Sequence, residues 1–589
     1  MNRQINLDAP VTLGRQRAVT LAVAALVFGV LANTSDRLPM AWDEGDALHR
    51  SELVYDWCVP PEPAKLSAEQ IRRAWRFTTV GEGHPALLGW VDAISGAIAE
   101  HYFSPLTAYR AGTMLLFAIA LASAFFRLWN DYTFSVALTA VVAALIMPRL
   151  FAHAHFALFD SLVTSGWLLA WATFQPALKH WFYRPLWGLA LGLTLSAKFT
   201  GWLAPIPFVL WMVIYRDRRA MKTLAIGLPL AVVTFWALNP PLWHDPLLGF
   251  QKFFDLNLHR ADRPEHNIST QFAGRMYNLD YPLPWYNTLV WTAITILPVP
   301  LLLGVTGIVK SLRRWRSDPM AVLLVLNWAT LIVVRALPWA PPHDAERLIL
   351  PSFAFFALLI AVGTGRLLYR ESLTLPDKIC AQRWVFVVLA IALLNGVGTM
   401  FRFAPQWLSY YSPLVGGLRG AVALGFEPTY YWDSFDDEVV TWLNNNTEPN
   451  EKVVFSHFSR SNRAWLFWWD KFRFQQRFPY TNRWYVLQRR PSASDDVDDW
   501  LLANATPAFE KQLHGTPLLE VYDYADYLRA LAATGAKPSV DAPLEDEAPE
   551  GMTPEEMVPA DEQAENKEPM SAKPEPSAVE PEVTEPDQK

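Results

Sequence analysis

The sequence predicts an all-α polytopic membrane bundle of about eleven transmembrane helices, followed by a small extracytoplasmic α/β domain and a disordered tail. Three observations carry that expectation. Of 589 residues, 52% are hydrophobic and 27 are Trp, and the mean hydropathy is positive, a composition suited to solvation by lipid. Apolar runs near the roughly 20 residues that cross a bilayer core recur between residues 17 and 403. Connectors rich in Lys and Arg alternate with connectors poor in them, as the positive-inside rule requires.

Residues 1–16 are expected to be a cytoplasmic N-terminus. Residues 17–403 form the membrane domain, with spans at 17–36, 106–127, 132–148, 156–176, 185–200, 201–216, 222–239, 285–309, 319–337, 347–367 and 384–403. The paired runs 185–200 and 201–216 are short and have no hydrophilic loop between them. Arg3, Arg15 and Arg17 precede the first span. Arg127, Lys179 with Arg184, Arg216 to Lys222, Lys310 to Arg316, and Arg366 to Arg383 then mark every second connector. Placing those clusters in the cytoplasm puts 37–105, 240–284 and everything after about residue 404 outside. The first run lacks a convincing small-residue cleavage site and is read as a span, not a signal peptide. Cys58 and Cys380 fall on opposite sides, which excludes an intrachain disulfide in this topology.

Residues 404–535 read as a soluble α/β domain. DSFDDEVVTWLNNN opens with a cap and has helical spacing, whereas EKVVFSHF, RWYVLQRR and PLLEVYDY have strand character. The segment 536–589 is rich in Pro, Glu and Ala. After residue 536 it holds 16 acids against 4 lysines, more negative charge than the net −7 of the whole chain. Such a segment buries too little apolar surface to fold and is expected to be disordered.

The span centres are nearly free of ionisable groups, which argues against a transport path along the bundle axis. Charge gathers at the outer span ends instead: Asp43 and Glu44 in AWDEGDALHR, Arg110, Arg149, His153, His155, Asp160, Lys198, and the run His343, Asp344, Glu346 and Arg347. Helices packed side by side would collect these groups into one cleft holding both carboxylates and cations. Each has a structural alternative. An acid beside a span can sit among headgroups, and Lys198 can snorkel. The two-residue spacing of His153 and His155 does not place both on one helix face, so it disfavours a dedicated metal site.

The order of DEG at 43–45, GHPALLGW at 83–90, YRAGTMLLFAIALA, ALFDSLVTSGWLLAWATF at 157–174, LGLTLSAKFTGWLAPIPFVLW at 191–211 and ERLILPSFAFFALLIAVG at 346–363 resembles the GT-C superfamily of membrane glycosyltransferases. Within it, the sequence resembles the protein O-mannosyltransferase and aminoarabinose-transferase group, and LSYYSPLVGGLRGAVALGFEPTYYW at 408–432 is similar to the post-membrane segment of its bacterial members. The resemblance covers most of residues 15–435. It implies a GT-C-type fold and a sugar donor carried on a polyprenyl phosphate, transferred to a glycan, lipid or protein acceptor, with inversion at the anomeric carbon.

The resemblance further implies that Asp43 is the base for the acceptor hydroxyl and that Glu44 orients Asp43 or the acceptor, with an exchange of those two roles as an alternative. Lys198, Arg347 and His84 become the candidate partners of the donor phosphate. Asp160 becomes an acceptor or cation contact, with His153 and His155 beside it. A divalent cation remains open, with no assigned ligands. Ala86 stands where a second proline is often found in the His-Pro motif. Trp42, Trp57, Trp243, Trp285 and Trp339 offer carbohydrate platforms or, equally, ordinary interfacial anchors. A non-catalytic reading also stands: a lipid-linked glycan carrier, flippase or scaffold that binds the same phosphate without breaking a bond.

Overall fold

The computed structural model describes residues 12–263, 267–368 and 375–537. The readings made for Arg3, Arg370 and the tail from residue 538 lie outside the described residues, as do the side chains of Lys378, Cys380 and Arg383.

Helices occupy all the segments expected to span. The first is α1 (Leu13–Ser35). The loop that follows is helical rather than irregular, with α2 (Glu44–Cys58), α3 (Ala68–Ala74) and α4 (Leu87–Ala99). The long helix α5 (Pro105–Asp131) leads into α6 (Phe134–Leu145), α7 (Pro148–His153), α8 (Phe159–Lys179), α9 (Tyr183–Ala197), α10 (Pro205–Tyr215) and α11 (Arg218–Leu238). Beyond α12 (Pro246–Leu258) a hairpin pairs β1 (Thr270–Phe272) with β2 (Arg275–Tyr277). The membrane domain ends with α13 (Asn287–Thr295), α14 (Pro298–Arg313), α15 (Pro319–Arg335), α16 (Leu350–Leu368) and α17 (Leu375–Phe403).

Among the described residues, four helical stretches are long and apolar enough to cross a membrane: Leu13–Ser35, Pro105–Asp131, Arg218–Leu238 and Ala345–Leu368. Shorter apolar helices fill the other segments. The expected span 285–309 is two helices, because Leu297 is extended ahead of Pro298, which has no N–H to continue the first helix. Helix α4 was hidden from sequence reading by its length, since its 13 residues, Asp92 among them, fall short of a span. It lies against α5 all the same.

Helix α16 is the most enclosed of the long helices, packed by α6, α8, α14 and α15. Its contact with α14 is backbone against backbone. A Cβ on Gly363 would lie 2.1 Å from the Leu303 carbonyl oxygen, and one on Gly307 2.1 Å from that of Leu359, so only glycine permits this approach. By contrast α1 keeps Leu21 and Leu26 exposed, as a helix facing lipid would.

The sheet-bearing C-terminal region begins later than its sequence suggests. Trp407, Leu408, Tyr410, Tyr411, Phe426, Tyr430 and Tyr431 all join the core of the helical bundle, so the segment from 404 to 431 belongs with that bundle. Its aromatic residues are too dispersed to show helical or strand periodicity, and only tertiary packing assigns them. The short helix α18 (Gly417–Ala423) lies within this segment.

The domain proper holds α19 (Asp437–Asn446), β3 (Glu451–Phe455), α20 (Arg460–Trp468), β4 (Thr481–Gln488), α21 (Asp496–Asn504), β5 (Phe509–Leu513), β6 (Thr516–Asp523) and α22 (Tyr524–Thr534). The sheet order is β3-β4-β6-β5, parallel only between β3 and β4. Strand alternation divides its two faces. Val453, Trp484 and Val486 pack towards α19, and Val454, Tyr485 and Leu487 towards α21 and α22. Asp436 caps α19 by accepting from the Glu438 N–H, which fixes the start of the predicted helix.

Candidate active site

Four of the expected residues meet at one end of the bundle. Asp43 follows α1, Asp160 opens α8, Lys198 closes α9 and Arg347 precedes α16. Lys198 itself is extended and interrupts the helical run before the turn Phe199–Leu203. That break turns its ammonium to the Asp160 carboxylate at 2.6 Å.

Arg347 is the hub. Its Nη1 donates to Asp43 Oδ2 at 2.7 Å and to the Tyr431 hydroxyl oxygen, and its Nη2 donates to Asp344. The Tyr431 hydroxyl donates in turn to Asp43 Oδ2 at 2.8 Å, and the guanidinium lies over the Tyr431 ring at 4.3 Å. The Arg347 Nε lies 4.0 Å from Asp160 Oδ2 and has no hydrogen-bond partner among the described residues. One buried donor is therefore unused while the rest of the fork is occupied.

Two of the segments that frame Asp43 are strained. Asp344 and Ala345 have φ of 60° and 43°, and Trp432, next to Tyr431, has φ of 51°. Non-glycine residues rarely adopt this left-handed backbone region, and they persist there only where surrounding contacts fix them. Those contacts are present. Asp344 is held by Arg347 and lies 3.6 Å from Arg490 Nη2, and the Arg490 guanidinium stacks 3.9 Å from the Trp432 ring centroid.

The two acids of the DEG motif diverge. Asp43 keeps its side chain 40% exposed at the cluster, whereas Glu44 is 0% exposed. Glu44 takes the Arg110 fork, with Nε on Oε1 and Nη2 on Oε2 at 2.7 Å each, and also accepts from the backbone N–H groups of Ala41 and Ala157. All its acceptor capacity is spent inside the protein. Glu44 thus anchors the loop that carries Asp43 and has no free oxygen to offer a substrate. Glu44→Ala would leave Arg110 charged, buried and half unpaired, and should cost about 3–5 kcal/mol of stability. Thermal unfolding in detergent measures that loss, and an unchanged Tm would refute the anchoring role.

His84 stacks on Phe159 with ring centroids 4.6 Å apart. Burial, followed by the nearby cations Arg50, Arg260, Lys198 and Arg347, holds its pKa well below the usual imidazole value. The lowered pKa favours the neutral ring, which brings a single N–H donor to the cluster. Arg50, which sequence reading passed over, pairs with Glu82 at 2.6 Å and lies 5.5 Å from the Phe159 ring centroid. Its position in an acidic, loop-like stretch gave no signal of this.

The remaining candidates stand apart from Asp43. His153 Nε2 hydrogen-bonds the Tyr430 hydroxyl at 2.7 Å, and that hydroxyl donates to Glu346 Oε1 at 2.9 Å. Glu346 also takes Arg149 Nη1 at 2.7 Å. His155 bonds Thr34 Oγ1 and the Phe151 carbonyl oxygen, each at 2.8 Å. Both rings are committed to internal partners. Among the described residues, no group of three or more His, Cys, Asp or Glu side chains is placed to hold a metal ion. Trp42 packs on Trp432 and Trp57 on Trp75, Trp90 and Trp243, whereas Trp285 and Trp339 are exposed.

Desolvation alone would raise the Asp43 carboxyl, but the charge and hydrogen bond of Arg347, helped by the Tyr431 hydroxyl, hold it below the ordinary carboxylate range. Asp344 is likewise lowered against its burial, chiefly by Arg347. Both acids are therefore anionic, and Asp43 is a weak base while Arg347 is bound to it.

No protein-family model matches the sequence, and no curated protein matches it. The fold is similar to that of ArnT from Cupriavidus metallidurans. For the apo state the identity is 14% over 89% of this chain and 99% of that one, with a TM-score of 0.47. For the form bound to undecaprenyl phosphate the identity is 12% over 87% and 98%, with a TM-score of 0.44. It is also similar to the archaeal oligosaccharyltransferase AglB from Archaeoglobus fulgidus, in complex with an inhibitory peptide and a dolichol-phosphate. There the identity is 14% over 73% of this chain and 58% of that one, with a TM-score of 0.43.

Proposed function

We propose that this chain is a membrane glycosyltransferase that moves a sugar from a polyprenyl phosphate to an acceptor hydroxyl, on the extracytoplasmic side of the membrane and with inversion. The observation that carries the reading is the Asp43–Arg347 pair beside Lys198: a half-exposed carboxylate whose counter-ion has one buried donor to spare. The side of the membrane follows from the alternation of Lys and Arg clusters along the sequence.

In this mechanism the donor phosphate lies against Arg347 and Lys198, with the His84 N–H as a further donor. A guanidinium fork and an ammonium suit phosphate oxygens and stabilise the charge that grows on them as the bond to the sugar breaks. Binding the phosphate draws Arg347 towards a second anion and loosens its hold on Asp43. The Asp43 carboxylate then gains basicity at the moment an acceptor is present. The acceptor oxygen attacks the anomeric carbon from the face opposite the phosphate and forms the new C–O bond. The bond from that carbon to the phosphate oxygen breaks, its electron pair leaves with the polyprenyl phosphate, and the acceptor proton passes to Asp43.

Reconstituted vesicles test the reading directly. Purified protein supplied with a panel of polyprenyl-phosphate sugars and mixed hydroxyl acceptors should release polyprenyl phosphate together with a glycosylated product. Tight phosphate binding without turnover on any pair would support the carrier reading instead.

A further inference from the structure

The soluble domain reaches the catalytic loop through one residue whose chemistry bears on Asp43 itself. Asp43 occupies the N-cap position of α2, where an aspartate ordinarily folds its carboxylate back onto the N–H groups of the first turn. Here it makes no such bond, and its carboxylate points to Arg347 and Tyr431. The first-turn N–H of Gly45 is satisfied from elsewhere. Asn462 Oδ1, on α20, accepts it at 2.7 Å, and Asn462 Nδ2 donates to the Ala41 carbonyl oxygen at 2.8 Å.

The neighbours of Asn462 reinforce the grip. Trp465 Nε1 donates to the Gly45 carbonyl oxygen at 3.0 Å, and the Ser461 hydroxyl donates to Asp46. Asn462 is buried, and it lies so close that a Cβ on Gly45 would fall 2.5 Å from its backbone nitrogen and 2.6 Å from Oδ1. Glycine at 45 is what lets α20 approach.

We infer that Asn462 is a positioning residue: by capping α2 in place of Asp43, it frees the Asp43 carboxylate for the reaction. Without Asn462, the Gly45 N–H is an unpaired donor two residues after an aspartate, whose backbone, at φ −86° and ψ 0°, turns to the extended region to cap it. Asp43 turns inward to that role and leaves Arg347. The soluble domain is then part of the catalytic apparatus and not an appendage. This inference rests on the reading of Asp43 as the base, and the test separates the two.

Four variants are compared in vesicles for kcat and for affinity towards polyprenyl phosphate. Asn462→Ala should lower kcat about 100-fold, the scale of a misplaced reactive group, while donor affinity stays within about twofold. Gly45→Ala, which pushes α20 away, should give the same pattern. Asn462→Asp keeps an acceptor for the Gly45 N–H but sets its second oxygen against the Ala41 carbonyl oxygen, so it should recover part of the loss and turn over about tenfold below the parent, clearly above Asn462→Ala. Asp43→Asn is the reference. If Asp43→Asn is inactive while Asn462→Ala turns over within twofold of the parent, the positioning role is wrong and the base assignment stands. If donor affinity falls in step with kcat, or Asn462→Asp is as inactive as Asn462→Ala, capping is not the reason and the inference is overturned. If Asp43→Asn turns over normally, the base assignment itself has failed.

Discussion

Asp43→Asn should lower kcat about 1,000-fold, within the usual contribution of a positioned general base, and leave the affinity for polyprenyl phosphate close to that of the parent. The amide retains the shape of the carboxylate and can still accept from the Tyr431 hydroxyl and Arg347 Nη1, the two bonds that hold the parent side chain. It cannot take a proton from an acceptor. The loss corresponds to about 4 kcal/mol of transition-state stabilisation. Because the side chain is 40% exposed and Glu44 carries the structural pairing, stability should change little. Single-turnover assays with labelled donor, alongside donor-binding measurements, check both halves. Loss of donor binding in step with kcat would move Asp43 from proton transfer to substrate binding.

Arg347→Ala should have an effect of similar size for a different reason. The guanidinium bonds Asp43 and Asp344 and faces Asp160, and its loss strands carboxylates in a desolvated site. Breaking a buried pair costs about 3–5 kcal/mol, so the variant should unfold at markedly lower temperature. Arg347→Lys separates that structural cost from the chemical one. It keeps a positive charge among the acids but loses the fork, so the protein should remain folded while kcat/KM falls about 100-fold and donor binding weakens. Parent-like kcat/KM in a folded Arg347→Lys protein would remove the arginine from phosphate recognition.

The part of this site legible in the sequence was the part marked by hydropathy. Asp43, Asp160, Lys198 and Arg347 each sit where an apolar run begins or ends, and the alternation of cationic connectors put all four at one level. The packing of α1, α8, α9 and α16 then brings them together. Pairing was not legible. Glu44 and Asp43 are neighbours of like charge, and nothing local reveals that Glu44 belongs to Arg110, 66 residues away, while Asp43 belongs to Arg347, 304 residues away. Tyr431 was hidden for another reason. It lies in an aperiodic stretch after the last apolar helix, read as soluble domain, yet it packs into the core of the bundle. The contact between Asn462 and Gly45 spans 417 residues, and only the tertiary fold sets it.

The state of Asp43 before and after donor binding can be read from the pH dependence of turnover. In the proposed mechanism Asp43 works as the anion, so activity should hold at neutral pH and fall as pH drops through its pKa. In the free protein that pKa is depressed, mainly because Arg347 outweighs desolvation. In the proposed donor complex the phosphate would compete for Arg347 and add negative charge beside Asp43, which should raise the pKa. The acid limb of kcat/KM reports the free protein and that of kcat reports the complex. Measured in the same vesicles, the limb of kcat should lie at higher pH than that of kcat/KM, and both should be lost in Asp43→Asn. Coincident limbs, or a kcat limb at lower pH, would contradict the release of Asp43 by the donor phosphate.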